Sequence, residues 1–470
     1  MARRTAALRA WIKDNPDTLS AGLFIVLLVS PALLELLILR PSTLRELGIL
    51  GAAFLLWVVT AFIVARRTGL TPRRVWDFLR AGGRLWELVL LAGWLAVLAV
   101  NVVLRRGENA HIPFGYFSFF FAVYLIDLFF AVTGRQDRQR RLLYVAFAVF
   151  AFACFRGMFV LASDPEMARM LSTGSFPETE RRYYHLLGVG GFEFFTGLAC
   201  GFPMLVHYAL TASTSIRRRL CTVLVCLVLL GMLFAGYTLV IVFTGFGLFV
   251  LLTYSLVRLR GRNLRSLARL CAVLLLVIAL FLGIGSVFNL HQSHLYLVKL
   301  SDLTVTVADK LFGAHLPSYD PGTGNEALLS EGSSEERMEL YARSLRTFFA
   351  HPLTGVGSRV NTGDFSEVGA HSTWLDYLAM YGLPSFGLYL GFMALLFRRL
   401  HRMEAGKAEK AYRMVGFLVY ALYGLVNPVV ATAVFPVILL FFTAGRVNLP
   451  GERPVPAAIP ASDAGGPTDA

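Results

Sequence analysis

Long apolar segments separated by short, arginine-rich loops dominate this sequence and constrain its fold more than any other feature. A helix needs roughly 20 apolar residues to cross the hydrocarbon core of a bilayer. Only helices and closed barrels satisfy their backbone hydrogen bonds there. The chain is 56% hydrophobic and only 16% charged, far from the usual composition of a soluble domain. The sequence therefore predicts an all-α integral membrane protein.

The apolar segments predict about twelve membrane-spanning helices. The first segment follows basic residues, as a signal peptide would, but it has no small-residue cleavage site, so we expect a retained anchor. The two segments that flank Gly236 also fit one long tilted helix. The predicted spans are 20–39, 47–65, 85–104, 114–133, 142–162, 186–210, 220–235, 237–257, 267–287, 372–397, 411–426 and 429–445.

Basic residues mark one side of the predicted bundle. They fall near the N-terminus, in alternate loops and in the tail, which by the positive-inside rule places both termini in the cytoplasm. The net charge of +14 follows mainly from this topology, together with attraction to anionic lipid. Nucleic acid is a poor alternative partner, because the charges form no continuous basic face. The basic segments are 3–13, 66–84, 135–141, 217–219, 258–269, 398–413 and 446–453.

Spans and loops divide the chain into four predicted parts. Residues 1–287 form a transmembrane scaffold of nine spans, and 288–371 form a large helical periplasmic loop. Residues 372–446 form the last three spans, and 447–470 form a disordered cytoplasmic tail. A loop as long as the one between spans nine and ten is usually functional. The five cysteines lack the spacing of a disulfide framework or a zinc site, so we expect small core residues.

The stretch 333–397 carries the most specific pattern. Ser333 and Glu336 have capping-box spacing at the start of an amphipathic helix that we expect to run to about Phe349. His351-Pro352 should end this helix, because proline disfavours helical geometry in the residue before it. The pattern therefore predicts a charged helix, a turn and then a further membrane span.

Arg337 shares a largely apolar face of this charged helix with Tyr341, Ser344, Leu345 and Phe348. The other arginines of the helix fall on the opposite face. A Gly-Val-Gly turn follows, and it is no dinucleotide fingerprint because no strand precedes it.

His371 stands at the mouth of the next predicted helix. Ser372 or Thr373 can cap that helix, because serine and threonine hydroxyls accept hydrogen bonds from its first backbone N–H groups. The histidine is thus expected at the junction of the long loop and the membrane.

The run from Arg337 through His-Pro-Leu-Thr-Gly-Val-Gly at 351–357 to His371, Trp374-Leu375 and Tyr381-Gly382 resembles the signature segment of the O-antigen ligase and polymerase superfamily. In that family an Arg-bearing periplasmic helix, a Pro-Leu-x-Gly-x-Gly turn and a His-x-x-x-Leu helix ending in Tyr-Gly come in this order. The close match is confined to this stretch, and the surrounding pattern of spans fits along most of the chain.

The resemblance implies a GT-C-like architecture and a metal-independent inverting glycosyl transfer that uses no cofactor. An undecaprenyl-diphosphate-linked glycan would be moved at the outer face of the bacterial inner membrane. The acceptor would be lipid A core for a ligase, or another lipid-linked repeat for an O-antigen or exopolysaccharide polymerase. Many members carry Ser-Arg at the outer turn that corresponds to 236–238, and this chain lacks it.

Other classes of protein remain alternatives. A protein O-oligosaccharyltransferase of the same superfamily would use the same donor, although we see no additional soluble domain that would recognise an acceptor protein. A polysaccharide transporter or flippase would need polar residues through the membrane midplane, whereas those of this chain cluster on the outer half. A non-catalytic assembly partner is the third alternative.

Two residues are the main candidates for catalysis. His371 is the candidate base for the acceptor hydroxyl, since imidazole titrates near neutral pH; the alternative is a histidine that only anchors the interface. Arg337 is the candidate clamp for the diphosphate, which a guanidinium can bind bidentately. The alternative for Arg337 is a salt bridge to Glu335 or Glu339. No metal site is expected.

Further candidates lie on the same predicted side. Arg156, Arg181 and Arg182 are secondary candidates for binding the diphosphate, with a solvated loop edge as the alternative for the last two. Glu35 and Glu193 lie at a depth similar to that of Arg156. These three side chains either line a cavity in the outer half of the membrane or form ion pairs that only hold helices together.

Three aromatic residues follow His371 at helical spacing, namely Trp374, Tyr377 and Tyr381. They either stack on the sugar or prenyl chain of a substrate or form an interfacial aromatic belt. Asp127, in contrast, lies toward the cytoplasmic side, and we expect it to be structural.

Overall fold

A computed structural model describes the protein over most of its length, and the described part is almost entirely helical. This confirms the predicted all-α class. The predicted tail 447–470 and most of the predicted loop 288–371 lie outside the described residues. These are 11–30, 32–33, 37, 43–104, 110–164, 167, 183–184, 186–187, 189–212, 214–258, 262–288, 290, 292–298, 301, 334–357, 368, 372–402, 407–430 and 435–443.

The main helices follow the predicted apolar segments, with two amphipathic additions, α3 and α11. In chain order they are α1 (Pro16–Val29), α2 (Thr43–Arg67), α3 (Pro72–Ala81), α4 (Arg84–Val103), α5 (His111–Val132), α6 (Gln136–Ser163), α7 (Phe192–Thr211), α8 (Ser215–Phe234), α9 (Thr238–Arg258), α10 (Arg262–Val287), α11 (Ser334–Ala350), α12 (Thr373–Arg402), α13 (Lys407–Val426) and α14 (Phe435–Thr443).

Within the described ranges, eight helices are long and apolar enough to cross a membrane, which indicates a multi-pass membrane protein. They are α2, α4, α5, α6, α7, α9, α10 and α12. Helices α1, α8, α13 and α14 cover parts of the four other predicted spans. The total of about twelve spans stays a prediction.

The two apolar segments around Gly236 form separate helices, α8 and α9, rather than one long helix. Gly236 has a φ of +75°, in the left-handed region that glycine adopts without steric cost. This residue therefore makes the tight turn between the two helices.

Helices α5, α7 and α14 form the centre of the bundle. Every residue of α14 is buried, and the helix packs against both α5 and α7. Gly201 of α7 permits this close approach, because a Cβ at that position would lie 2.6 Å from the ring of Phe441. Small residues at such contacts are typical of helices that associate in membranes.

Helices α2 and α10 lie on the outside of the bundle and expose large apolar side chains. Leu55 and Phe62 of α2 are 64% and 57% exposed, and Leu275 and Leu276 of α10 are 66% and 58% exposed. Contiguous apolar surface of this kind is unfavourable in water. It is expected where the surrounding solvent is lipid.

Four charged side chains are buried together at one end of the bundle. Arg84 Nη1 lies 3.2 Å from Asp127 Oδ2, and Arg399 Nε lies 3.0 Å from Glu87 Oε1. Arg399 Nη1 also lies 3.5 Å from Asp127 Oδ2. All four residues are at most 4% exposed. We call this group the ionic cluster. Its two positive and two negative charges balance, so no net charge is buried.

Neutral polar groups complete the ionic cluster. The Tyr124 hydroxyl donates a hydrogen bond to Glu87 Oε2 at 3.2 Å, and Gln139 donates from its amide to Asp127 and to Thr443. The cluster thus joins α4, α5, α6, α12 and α14. The expected structural role of Asp127 agrees with these contacts.

We call the end of the bundle with the ionic cluster the ionic end. Helix α12 ends there at Arg402 and begins at Thr373, so its first turn lies at the opposite end, together with the turn 351–357. We call that opposite end the loop end.

Replacing Arg399 by methionine should lower the free energy of unfolding by about 3–5 kcal/mol, because Glu87 and Asp127 would keep their charges without one of their partners. Thermal unfolding of the purified protein in detergent measures this. Arg398→Met is the matched control, since Arg398 is exposed. The double variant Glu87→Gln with Arg399→Met should recover part of the loss. Equal stability of the two single variants would contradict a stabilising role for the cluster.

Candidate functional site

Helix α11 has the predicted extent, since it ends at Ala350, directly before His351-Pro352. Its buried stripe faces α12 and consists of Leu340, Ser344 and Thr347, which are 9%, 2% and 4% exposed. Leu345, which we expected on the buried face, is 38% exposed. The buried stripe is therefore rotated slightly from the predicted one. Ser344 and Thr347 have small side chains, which allow α11 to approach α12 closely.

Arg337 lies in the first turn of α11, and its side chain is outside the described residues. In the register of the helix its position is three residues before Leu340 and four before Tyr341. Residues three and four apart share a helix face, so position 337 continues the stripe that packs on α12.

A short chain of hydrogen bonds joins α11 to the first turn of α12. The Ser344 hydroxyl donates to Asp376 Oδ1 at 2.7 Å, and the backbone N–H of Ser372 donates to Asp376 Oδ2 at 2.8 Å. Asp376 is 2% exposed. Hydrogen bonds to a carboxylate are stronger than those between neutral groups, so Asp376 fixes the position of α11 relative to the residue that follows His371.

The start of α12 is also tied to the end of α13. The Ser372 hydroxyl accepts from the backbone N–H of Leu375 at 3.3 Å, which confirms a serine cap, and it lies 3.3 Å from the carbonyl of Gly424. The Thr373 hydroxyl accepts from the N–H of Val429 at 2.7 Å. The Tyr341 hydroxyl of α11 donates to the carbonyl of Val426 at 2.7 Å. Three helices therefore meet around Ser372.

Helix α12 is broken at Gly382, which has φ +73° and ψ 166°. An unbroken helix would pair the carbonyl of Ala379 with the N–H of Leu383, and that of Met380 with residue 384. Residue 384 is a proline and has no N–H to donate. The break therefore leaves two carbonyls and one N–H without their helical partners.

The turn 351–357 supplies the missing partners. Val356 N–H donates to Ala379 O at 3.1 Å, and Gly357 N–H donates to Met380 O at 2.8 Å. Leu383 N–H in turn donates to Pro352 O at 2.8 Å. The Pro-Leu-x-Gly-x-Gly turn and the Tyr-Gly-x-Pro break are thus complementary halves of one joint, which we call the loop-helix joint.

Glycine is required on both sides of this joint. A Cβ at Gly355 would lie 2.3 Å from the carbonyl carbon of Met380, and a Cβ at Gly382 would lie 2.5 Å from that of Leu353. Both glycines also have positive φ, at +60° and +73°. The motif's glycines therefore permit two backbones to touch.

His371, the candidate base, lies outside the described residues, as do Arg181, Arg182 and Glu35; for Glu193, as for Arg337, only the backbone is described. The described residues next to His371 and Arg337 in the chain nevertheless belong to two segments that contact each other. Position 337 lies on the helix that packs on α12, and Ser372, which follows His371, is bonded to Asp376 together with Ser344.

Arg156 lies in the last third of α6, whose opposite end carries Gln139 of the ionic cluster, so it is on the loop-end side. Its Nη2 donates to the carbonyl of Leu186 at 2.9 Å, and its guanidinium lies 5.8 Å from the centre of the Phe152 ring. Arg156 thus holds the backbone of the segment before α7. Its role in binding a diphosphate stays a prediction.

The aromatic residues of α12 point into the bundle. Tyr377 and Tyr381 are 6% and 2% exposed, and the Tyr381 ring packs edge-on against Trp94 with ring centres 5.0 Å apart. Trp374 donates from Nε1 to the carbonyl of Ala421 at 2.6 Å. The two tyrosines are buried, so they form neither an exposed interfacial belt nor an open surface on which a sugar could stack. Their contact with a substrate stays a prediction, and their burial does not favour it.

Two features of the site were missed by sequence reasoning. Asp376 lies in an otherwise apolar helical stretch, and a lone carboxylate at the start of a predicted span was the available signal. The pairing of Gly355 with Gly382 had no such signal, because the two residues are far apart in the chain. Among the described residues, no group of three or more His, Cys, Asp or Glu side chains could hold a metal ion.

Comparisons with known proteins assign no family to the chain. No family model matches it, and a search of curated proteins finds no match either.

Replacing Gly382 by alanine should destabilise the loop-helix joint, because the new Cβ would overlap the backbone of Leu353. Hydrogen exchange of the Val356 and Gly357 amides measures the effect, and we expect at least about a tenfold loss of protection, the equivalent of about 1.4 kcal/mol. Gly387→Ala is the matched control, since nothing lies within 4 Å of its Cβ position. Unchanged protection in Gly382→Ala would contradict the joint.

Proposed function

We propose that the chain is a membrane glycosyltransferase of the O-antigen ligase type. It moves an undecaprenyl-diphosphate-linked glycan onto an acceptor sugar. The observation that carries this proposal is the connection of α11 to the first turn of α12 through Ser344, Asp376 and Ser372. This connection supports a shared site, because Arg337 and His371 stand on the two segments that it joins.

The loop-helix joint adds to this support. In this joint the two glycine-containing parts of the family-like motif, the turn 351–357 and the break in α12, satisfy each other's backbone hydrogen bonds. The geometry gives a physical reason for Pro352, Gly355 and Gly382 to occur together in one chain. It also holds the turn that follows α11 against α12.

In the proposed reaction the acceptor hydroxyl attacks the anomeric carbon of the donor glycan. The bond from that carbon to the diphosphate oxygen breaks, and the lipid diphosphate leaves with the electron pair. His371 accepts the proton of the hydroxyl as general base. Arg337 neutralises the charge that develops on the departing diphosphate, so the proposed mechanism needs no metal ion.

The proposed site faces the periplasm, with the ionic end toward the cytoplasm of a bacterial inner membrane. Exposed arginines at the ionic end support this orientation by the positive-inside rule. They include Arg73, Arg74 and Arg80 of α3 and Arg217–Arg219 at the start of α8. Both termini would then be cytoplasmic.

Purified full-length protein, supplied with a lipid-diphosphate-linked glycan and an acceptor glycolipid, should form the joined product. His371→Ala should lower the rate about 10²-fold to 10⁴-fold, the usual contribution of a general base. Arg337→Ala should lower it about 10²-fold to 10³-fold, as expected for the loss of one electrostatic contact to the transition state. Mass spectrometry of the product measures both rates.

Matched controls for these variants are available in the chain. Arg346 is an exposed arginine of the same helix as Arg337, and His401 is an exposed histidine at the ionic end. Arg346→Ala and His401→Ala should keep the rate of the unmodified protein. Full activity of His371→Ala would exclude it as the base, and access to the substrate from both sides of the membrane would favour a transporter instead.

Deletion of the gene distinguishes the ligase from the polymerase. Loss of a ligase should leave full-length glycan chains that are not attached to lipid A core, because chain growth continues without transfer. Loss of a polymerase should leave single repeats attached to the core. Gel analysis of the surface glycan checks the outcome, and an unchanged glycan would contradict both activities.

A further inference from the structure

Helix α3 is amphipathic and lies at the ionic end of the bundle. Phe78 and Leu79 are 7% and 6% exposed and pack against Leu128 and Val132 of α5. The Phe78 ring also lies 5.4 Å from the guanidinium carbon of Arg84. One face of α3 is therefore fixed against the protein, next to the ionic cluster.

The opposite face of α3 carries the charge. At 100° per residue, Arg73, Arg80 and Asp77 fall on one arc, with Arg74 at its edge, and all four are exposed. Arg66 and Arg67, at the end of α2, are exposed as well. The segment 66–81 thus presents five exposed arginines and one exposed aspartate, a strong excess of positive charge over a short stretch.

One exposed indole lies at the boundary between the two faces of α3, and a second lies at the start of α4. Trp76 is 49% exposed, at the edge of the apolar arc beside Arg80, and Trp86 in the first turn of α4 is 64% exposed. Tryptophan is enriched where a membrane meets water, because its ring is apolar and its N–H is polar. The apolar face of α3 is occupied by α5, so the side chains that α3 can place at the membrane interface are its arginines and Trp76.

We propose that α3 is a docking element for the membrane surface that binds the headgroups of anionic phospholipids. The buried residues Phe78 and Leu79 set the rotation of the helix, Trp76 enters the headgroup region, and the arginines contact lipid phosphates. The charges of α3 and of these headgroups are complementary, since a juxtamembrane basic segment is attracted to an anionic leaflet. The proposal does not depend on the glycosyl transfer.

The proposal is tested with full-length protein equilibrated in detergent with equal amounts of phosphatidylglycerol and phosphatidylcholine. Native mass spectrometry measures the ratio of the two lipids that stay bound. The unmodified protein should retain phosphatidylglycerol preferentially. The triple variant Arg73→Gln, Arg74→Gln and Arg80→Gln should lower this ratio at least about fivefold. This lower bound is the effect expected if only one of the three arginines contacts a lipid phosphate.

The matched control removes three other exposed arginines from the ionic end. The variant Arg217→Gln, Arg218→Gln and Arg219→Gln changes the net charge equally but leaves α3 intact. Its lipid ratio should fall clearly less than that of the α3 variant, because only α3 combines its arginines with an exposed indole at the interface. Equal losses in the two variants would overturn the proposal and indicate non-specific attraction by charge.

A second measurement needs no arginine variant. In vesicles that contain phosphatidylglycerol, lipids brominated near the headgroup should quench the fluorescence of Trp76, obtained as the difference between the unmodified protein and Trp76→Phe. Vesicles of phosphatidylcholine alone should give less quenching. Equal quenching in both vesicles, or none in either, would contradict headgroup binding by α3.

Discussion

The need to neutralise charge inside an apolar bundle governs one end of this protein. An isolated ion buried in a low-dielectric interior costs several kcal/mol even after relaxation, so each charge of the ionic cluster depends on the others. Arg399 contacts two carboxylates that belong to two different helices. The pairing therefore fixes the relative positions of helices that contact each other elsewhere mainly through apolar side chains, which are less specific about register.

At the loop end, the need to satisfy backbone hydrogen bonds determines the structure in a similar way. A broken helix leaves polar groups that lipid cannot satisfy, and here a turn that follows the preceding helix satisfies them. The joint explains why the proposed catalytic segments occur on either side of a glycine-rich turn. It holds the turn 351–357 against α12 by three main-chain hydrogen bonds.

The sequence predicted the all-α class, the extent of α11 and a serine or threonine cap on α12, because these depend on local patterns of hydrophobicity and capping. It did not predict that Arg84 and Arg399 are buried, since by position they belong to basic loop segments and only the fold brings carboxylates to them. Helix α3 was missed for a related reason, because ten residues are too few for a span. The burial of Tyr377 and Tyr381 depends on Trp94, a contact between distant parts of the chain.

The break at Gly382 divides α12 into two segments that are held at different points. The first is anchored by Asp376 and the partners of Ser372, and the second is anchored by Arg399. The turn 351–357 bonds to Ala379 and Met380 of the first segment and to Leu383 of the second. A displacement of either segment is therefore passed on to that turn and not only along a single helix axis.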